Sequence, residues 1–120
     1  MSGWADVGSL EELERERVLV ARVGGRELGV LRDEDGGLHA IRNRCPHHGA
    51  PLCRGRIRER EGGVPGRYER AGRRVLRCPW HGWEFDLETG RCLDDGRLRA
   101  RVYRVEVVDG RVRVAVSDPD

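Results

Sequence analysis

Two short segments carry the residues with the strongest metal-binding chemistry in this 120-residue chain. The first contains Cys45 and His47, and the second contains Cys78 and His81, so each segment pairs one cysteine with one histidine two or three positions later. Two thiolates and two imidazoles are enough donors for a zinc ion or an iron–sulfur centre. A proline follows each cysteine and a glycine follows soon after each histidine. Loops of this kind expose backbone N–H groups that can point at sulfur.

In their flanking residues the two segments resemble a known family, the Rieske [2Fe–2S] proteins. The resemblance rests on Cys-x-His and Cys-x-x-His, in this order, within Cys45–Leu52 (CPHHGAPL) and Cys78–Asp86 (CPWHGWEFD). In that family two histidines replace two cysteines on one iron, which raises the reduction potential above that of plant-type ferredoxins. The resemblance extends weakly over nearly the whole chain.

The resemblance implies a role for each of the four donors. Cys45 and Cys78 would bind an inner iron, and His47 and His81 would bind an outer iron through one ring nitrogen each. The other ring nitrogens would face solvent, beside the surface where a partner docks. Thiolates concentrate negative charge on the inner iron, and neutral imidazoles make the outer iron easier to reduce.

Zinc is the alternative metal for such a donor set. It would then hold the two loops together in a protein whose function is binding. Zinc accepts two cysteines and two histidines, but its sites more often use Cys-x₂₋₄-Cys and His-x₃₋₅-His pairs than mixed pairs. The spacing therefore favours the iron–sulfur interpretation.

Four further positions bear on the reduction potential. In high-potential Rieske proteins a disulfide joins the two loops at positions that match Ala50 and Trp80, neither of which is cysteine here. Those proteins also place serine and tyrosine hydroxyls against the cluster, where this chain has Trp83 and Phe85. Missing hydroxyl donors leave negative charge on the sulfurs uncompensated. We therefore expect a potential at the low end of the Rieske range, on the order of −150 mV.

The remaining cysteines and histidines match no ligand position. Cys53 and Cys92 are predicted to be small, semi-buried apolar residues, since a disulfide between them is disfavoured in a cytosolic protein. His39 is expected at the surface or hydrogen-bonded in the core. His48 is predicted to face solvent in a loop, with partner docking as the alternative.

Tryptophans near the two segments are expected to protect the site. Trp80 and Trp83 are predicted to shield the cluster from water, whereas Trp4 is expected to pack the N-terminal arm against the domain.

Composition and charge limit the class of protein. The 17 glycines indicate many tight turns, and the length suits one domain. Net charge is +2 and charges of both signs alternate, so no nucleic-acid surface is predicted. The densest basic stretch, residues 54–77, includes one tyrosine and is interpreted as a solvated loop. Within it, residues 54–73 could be either an indifferent insertion or a docking element for an acidic partner, and the sequence does not decide between the two. No targeting or membrane-spanning stretch is visible, so a cytoplasmic location without membrane binding is expected.

Patterns of valine alternation and turn residues predict an all-β fold with one short helix. The helix is expected from Ser9, in a possible capping box with Glu12, to about Glu14. Strands are predicted around glycine and aspartate turns, of which Asp109-Gly110 is the strongest hairpin signal. They cover Arg17–Val23, Glu27–Arg32, Leu38–Arg42, Trp83–Leu87, Arg91–Leu93, Val102–Val108 and Arg111–Val116.

The resemblance implies a fold and an organisation. The fold would be of stacked antiparallel sheets or a partly open barrel. The single domain, 1–120, would consist of a base, 1–42 and 94–120, with a small cluster-binding subdomain inserted at 43–93.

The function that follows is electron transfer. The chain is expected to carry a Rieske-type [2Fe–2S] cluster and pass single electrons from a reductase to a terminal oxygenase, without an organic substrate of its own. The small subunit of a larger oxidoreductase, such as a nitrite reductase, is the alternative. A self-sufficient oxygenase would need a second iron on two histidines and a carboxylate, and only His39 and His48 remain for it.

Overall fold

The fold is all-β, with one short helix. The computed structural model describes residues 3–47, 49–60 and 73–116. The described elements are β1 (Trp4–Ser9), α1 (Leu10–Glu16), β2 (Val18–Val23), β3 (Arg26–Arg32), β4 (Leu38–Arg42), a 3₁₀ turn (Leu52–Arg54), β5 (Arg56–Arg60), β6 (Arg73–Arg77), β7 (Glu84–Asp86), β8 (Val102–Tyr103), β9 (Val105–Val108) and β10 (Arg111–Ala115).

The strands form three antiparallel sheets in the described part of the chain. Their orders are β1-β10-β9, β2-β3-β4-β8 and β5-β6-β7. None of the three closes into a barrel, so the predicted architecture of open antiparallel sheets is confirmed. In the third sheet, β5 and β6 lie between the two metal-binding segments, and β7 is formed by the end of the second. The predicted subdomain boundaries at residues 43 and 93 stay a prediction.

Local chemistry explains the helix and the tight turns. The Ser9 hydroxyl accepts a hydrogen bond from the Glu12 N–H at 3.0 Å, capping α1 as predicted. The helix ends at Arg17, whose backbone is left-handed with φ 67°. Asp109 and Gly110, with φ of 50° and 75°, make the two-residue turn between β9 and β10.

Two expectations about the strands need correction. The segment predicted as one strand, Val102–Val108, is two strands, because β8 pairs with β4 whereas β9 pairs with β10. The chain changes sheet at Arg104. The second strand predicted at Arg91–Leu93 is reduced to isolated bridges, including Phe85 to Cys92.

Three further strands, β1, β5 and β6, lie where none was predicted. The N-terminal arm forms β1, whose Trp4 is the register partner of Ala115 in β10. Beyond that pair, the Val116 N–H donates to the Gly3 carbonyl oxygen at 2.6 Å. Part of the predicted loop at 54–73 forms β5, paired with β6, and residues 61–72 lie outside the described part.

Two hydrophobic clusters fill the interior. One lies beneath α1 and the sheets of the base: Leu13, Leu19, Leu28, Val30, Ala40, Val112 and Val114. The other contains all four cysteines together with Leu31, Ile41, Ala50, Leu52, Leu76, Phe85, Leu87 and Ala100. Among the described residues, no helix is long and apolar enough to cross a bilayer.

Candidate metal centre

The first metal-binding segment is a tight loop closed by its own backbone. The Cys45 N–H donates to the Ala50 carbonyl oxygen at 2.8 Å, and the Gly49 N–H donates to the Cys45 carbonyl oxygen at 2.7 Å. The chain therefore reverses between Cys45 and Ala50. This reversal holds the cysteine at the base of the loop and His47 nearer its tip.

The second segment repeats the same hydrogen-bond pattern at the same offsets. The Cys78 N–H donates to the Trp83 carbonyl oxygen, five residues on, at 2.7 Å. The Gly82 N–H donates to the Cys78 carbonyl oxygen, four residues back, at 3.0 Å. The two loops thus share these two backbone hydrogen bonds, although their histidines stand at different offsets from the cysteine.

Both loops need glycine at the fourth position after cysteine. In both, an arginine directly precedes the cysteine. Gly49 and Gly82 have φ of 75° and 72°, in the left-handed region that disfavours side chains. A Cβ atom at Gly82 would lie 2.8 Å from the Arg77 guanidinium, and one at Gly49 would lie 3.7 Å from that of Arg44. Each arginine therefore lies across its own loop.

The four predicted donors differ in burial, in the order that the two-iron arrangement requires. The side chains of Cys45 and Cys78 are buried, at 1% and 3% exposure. His47 is half-buried and His81 is exposed. The two imidazole rings approach edge to face, with centroids 5.4 Å apart and planes at 76°. The structure therefore brings the two histidines together and places both cysteines in one buried cluster.

Of the two tryptophans predicted to shield the site, one fits that role. The indole of Trp83 stacks on the imidazole of His47, with ring centroids 3.8 Å apart and planes 12° from parallel. Trp80 is 58% exposed and projects into solvent. Trp80 therefore does not shield the site as predicted. Its side chain points outward from the tip of the loop.

A carboxylate that the sequence did not single out lies near His47. Asp95 accepts hydrogen bonds from Arg97, through the backbone N–H at 3.0 Å and the guanidinium at 2.8 and 3.0 Å. These bonds lower the pKa of Asp95 to about 2, with a smaller contribution from the charge of His47. The loop that follows Leu93 therefore places a permanent negative charge beside the site. An Asp-Gly-Arg sequence at 95–97 is its only signal.

Cys53 and Cys92 are buried thiols, as predicted. The Sγ atom of Cys53 occupies the space where a side chain at position 29 would stand, since a Cβ at Gly29 would lie 2.1 Å from it. Burial, aided by the charge of Glu27, raises the pKa of Cys53 to about 12. The thiol is therefore protonated and unreactive at neutral pH.

His39 is hydrogen-bonded, one of its two predicted settings. Its Nε2 lies 2.7 Å from the Oδ2 of Asp33, which is buried. Burial is the largest single influence on the pKa of Asp33 and raises it. The hydrogen bonds from His39, Gly37 and Asp35 outweigh burial, so the pKa is lowered overall. This cluster joins the β3–β4 turn to Arg74 of β6.

The other remaining histidine, His48, lies outside the described residues.

The donor set fits a two-metal cluster better than a single ion. Nowhere in the described ranges do three or more His, Cys, Asp or Glu side chains come together as one metal ion would require. A zinc ion needs at least three protein donors around it. A [2Fe–2S] cluster of this type needs only two protein donors on each iron. The adjacent imidazoles of His47 and His81 and the shared buried cluster of Cys45 and Cys78 are compatible with that need.

Comparison with protein families gives one assignment that covers most of the chain. Residues 3–109 match the family described as the Rieske [2Fe-2S] domain.

Curated relatives are longer proteins. The 4beta-methylsterol monooxygenase of Methylococcus capsulatus is 34% identical over 132 residues, covering 99% of this chain and 32% of the relative. Oxidoreductase NdmD of Pseudomonas putida is 33% identical over 89 residues, covering 74% of this chain and 13% of the relative. The chain therefore spans less than a third of the length of either protein.

Solved structures include proteins of similar size. The ferredoxin of carbazole 1,9a-dioxygenase from Nocardioides aromaticivorans is 28% identical with a TM-score of 0.71, covering 93% of this chain and 96% of the other. A Mycobacterium tuberculosis protein, assigned as the small subunit of an NADH-dependent nitrite reductase, is 29% identical with a TM-score of 0.73 and 92% coverage of both chains.

Proposed function

The chain belongs to the Rieske [2Fe–2S] domain family, and from this premise we propose that it is a one-electron carrier between a reductase and a terminal oxygenase. Cys45 and Cys78 are proposed to bind the inner iron, and His47 and His81 the outer iron. The observation that carries the proposal is the approach of the two imidazoles, whose ring centroids lie 5.4 Å apart; the burial of both cysteines in one cluster supports it.

The burial of the donors supports this assignment of roles. A bound [2Fe–2S] cluster of this type supplies a site that accepts and returns a single electron. Cys45 and Cys78 hold the inner side away from water, where thiolate charge is least screened. His81 is exposed, so its ring gives the shortest route from the site to a partner. His47 is held in place by its stack on Trp83.

The surroundings supply few hydroxyl donors. Trp83 and Phe85 stand where a serine and a tyrosine would supply hydrogen bonds in high-potential relatives, and Phe85 is completely buried. An apolar lining favours the form with less negative charge, which is the oxidised form. A potential near the low end of the range suits an electron carrier that serves an oxygenase.

The role of an oxygenase ferredoxin is supported by the size of the solved relatives. The carbazole dioxygenase ferredoxin matches this chain over nearly the full length of both. A nitrite reductase small subunit is the second candidate, because the Mycobacterium tuberculosis protein matches equally well. Isolation of the native protein distinguishes the two: a carrier purifies without a large catalytic subunit, whereas a small subunit co-purifies with one.

The decisive experiment is spectroscopy of protein purified without oxygen, before and after reduction with dithionite. We expect a red-brown oxidised form and, on reduction, a rhombic EPR signal whose average g lies below that of all-cysteine clusters. Cys45→Ser and His81→Ala are expected to abolish this signal. The matched controls are Cys92→Ala and His39→Gln, which change the same residue types outside the proposed donor set and are expected to retain it.

A colourless protein that holds stoichiometric zinc and shows no EPR signal would overturn the proposal. It would leave a zinc-pinned interaction module, a class that the mixed Cys–His pairs do not favour.

A further inference from the structure

A groove of about 480 Å³ runs beside the second metal-binding loop. The residues that line it include Arg54, Arg56 and Arg77, together with Cys78 and His81. The groove therefore lies beside one proposed ligand of each iron. No acidic residue lines it within the described part of the chain.

The three arginines of the groove are exposed. None of them forms an ion pair with another described residue. Arginines farther along the same hairpin behave differently. Arg58 lies 3.2 Å from a carboxylate oxygen of Glu84, and Arg74 pairs with Asp35. Among the described side chains of the hairpin, those of Arg58 and Arg74 are thus paired with carboxylates, whereas those that line the groove are not.

Strand register explains how the groove forms. Arg56 in β5 is the partner of Arg77 in β6, so two arginines separated by twenty residues lie side by side. The opposite end of the hairpin is the Arg60–Arg73 pair, about 13 Å away at the usual rise of a strand.

An exposed aromatic completes the surface. Trp80 lines the groove and is 58% exposed, which is the largest exposure among the described large apolar residues. Tryptophan and arginine are the residues that most often dominate the energy of protein interfaces. Unpaired guanidinium groups around such an anchor are complementary to carboxylates, and electrostatic complementarity of this kind speeds encounter.

We propose that this groove, lined by Arg54, Arg56, Arg77 and Trp80, binds a carboxylate-rich segment of the redox partner protein. This inference rests on the proposed electron-transfer function and names the surface through which the partner reaches the site. Carboxylates of the partner pair with the three guanidinium groups. The partner then lies against His81, from which the electron leaves.

The first test measures binding of a fluorescently labelled octaglutamate peptide to the cluster-loaded protein by anisotropy at low salt. We expect the double variant Arg54→Gln/Arg56→Gln to bind about fivefold or more weakly, because the field acting on the peptide is reduced. The matched control, Arg22→Gln/Arg104→Gln, removes the same charge from two exposed arginines of the base and is expected to bind like the unmodified protein. Trp80→Ala is expected to weaken binding at every salt concentration.

A second test measures electron transfer with small reagents of opposite charge. The reduced protein gives one electron to ferricyanide, forming ferrocyanide, or to hexaammineruthenium(III), forming the ruthenium(II) complex. At low salt the groove variant is expected to react about fivefold more slowly with the anion and faster with the cation. Both differences should vanish near 1 M salt, where the Debye length is about 3 Å.

Two results would overturn the inference. Equal losses in the groove variant and the control would show that only net charge matters. Oligothymidylate binding that is tighter than peptide binding and depends on the same arginines would indicate a nucleic-acid surface instead. Visible and EPR spectra are recorded on every variant. Loss of the electron-carrier function appears there as a missing cluster signal, whereas failure of the docking inference leaves that signal intact.

Discussion

The imidazole of His47 lies flat against the indole of Trp83, with ring centroids 3.8 Å apart and planes 12° from parallel. This contact joins the two metal-binding loops. His47 belongs to the first loop, and Trp83 closes the second, because its carbonyl oxygen accepts a hydrogen bond from the Cys78 N–H. The loops are therefore held together by side-chain packing.

Loss of this stack should make the cluster labile. In Trp83→Ala, water reaches His47 and the ring loses its main packing partner, so we expect the visible absorbance to bleach about three- to tenfold faster in air. Trp83→Phe should retain most of the protection because a smaller ring still stacks. Trp80→Ala is the control, since that side chain is largely in solvent. Equal bleaching of the two alanine variants would contradict the shielding role.

A single hydroxyl group should raise the reduction potential. Phe85 is fully buried in the same apolar cluster as Cys45 and Cys78, so Phe85→Tyr places a donor near the proposed cluster sulfurs. A hydrogen bond to sulfur stabilises the added negative charge of the reduced form. We expect a rise of some tens of mV from a starting value on the order of −150 mV, measured by redox titration. Phe85→Leu, which adds no donor, should not reproduce the rise.

The contact between Gly29 and Cys53 predicts a coupling between two substitutions. Gly29→Ala puts a methyl group 2.1 Å from the Cys53 Sγ atom, and overpacking of this kind costs about 1–3 kcal/mol. Cys53→Ala removes that sulfur. In the double variant we expect much of the cost of Gly29→Ala to disappear, as measured by chemical denaturation. Simple additivity of the two losses would show that the side chains do not meet.

Stability in acid should depend on Asp33. Because its folded pKa is lowered, the carboxylate stabilises the fold above its unfolded pKa of about 3.9. That contribution is lost as the pH falls through the folded value. Asp33→Asn should cost about 1–3 kcal/mol at pH 7, since His39 loses a charged partner.

Thermal unfolding between pH 7 and pH 3 tests this dependence. The difference in Tm between the unmodified protein and Asp33→Asn should shrink as the pH falls. Asp35→Asn is the control, because the Asp35 side chain is 76% exposed. A constant difference across the pH range would exclude Asp33 as its source.

The sequence predicted the family better than the arrangement of the strands. Cysteine and histidine spacing was enough to identify the family, because the residues of each pair lie within a few positions of one another, and the ligand set itself stays a prediction. The strand β1 was missed, because alanine, aspartate and glycine interrupt its apolar pattern and its pairing with β10 spans nearly the whole chain. The break at Arg104 was missed because valine alternation continues across the change of sheet. The groove of Arg54, Arg56 and Arg77 depends on strand register, which composition does not encode.

The pairing of β1 with β10 has a consequence for how the domain is connected. Gly3 and Val116 are joined by a 2.6 Å hydrogen bond, so the polypeptide enters and leaves the fold at neighbouring points. A short linker of a few residues can therefore close the backbone into a ring. The domain can equally be spliced into a surface loop of a larger protein, with both connections made at one place and no strand displaced.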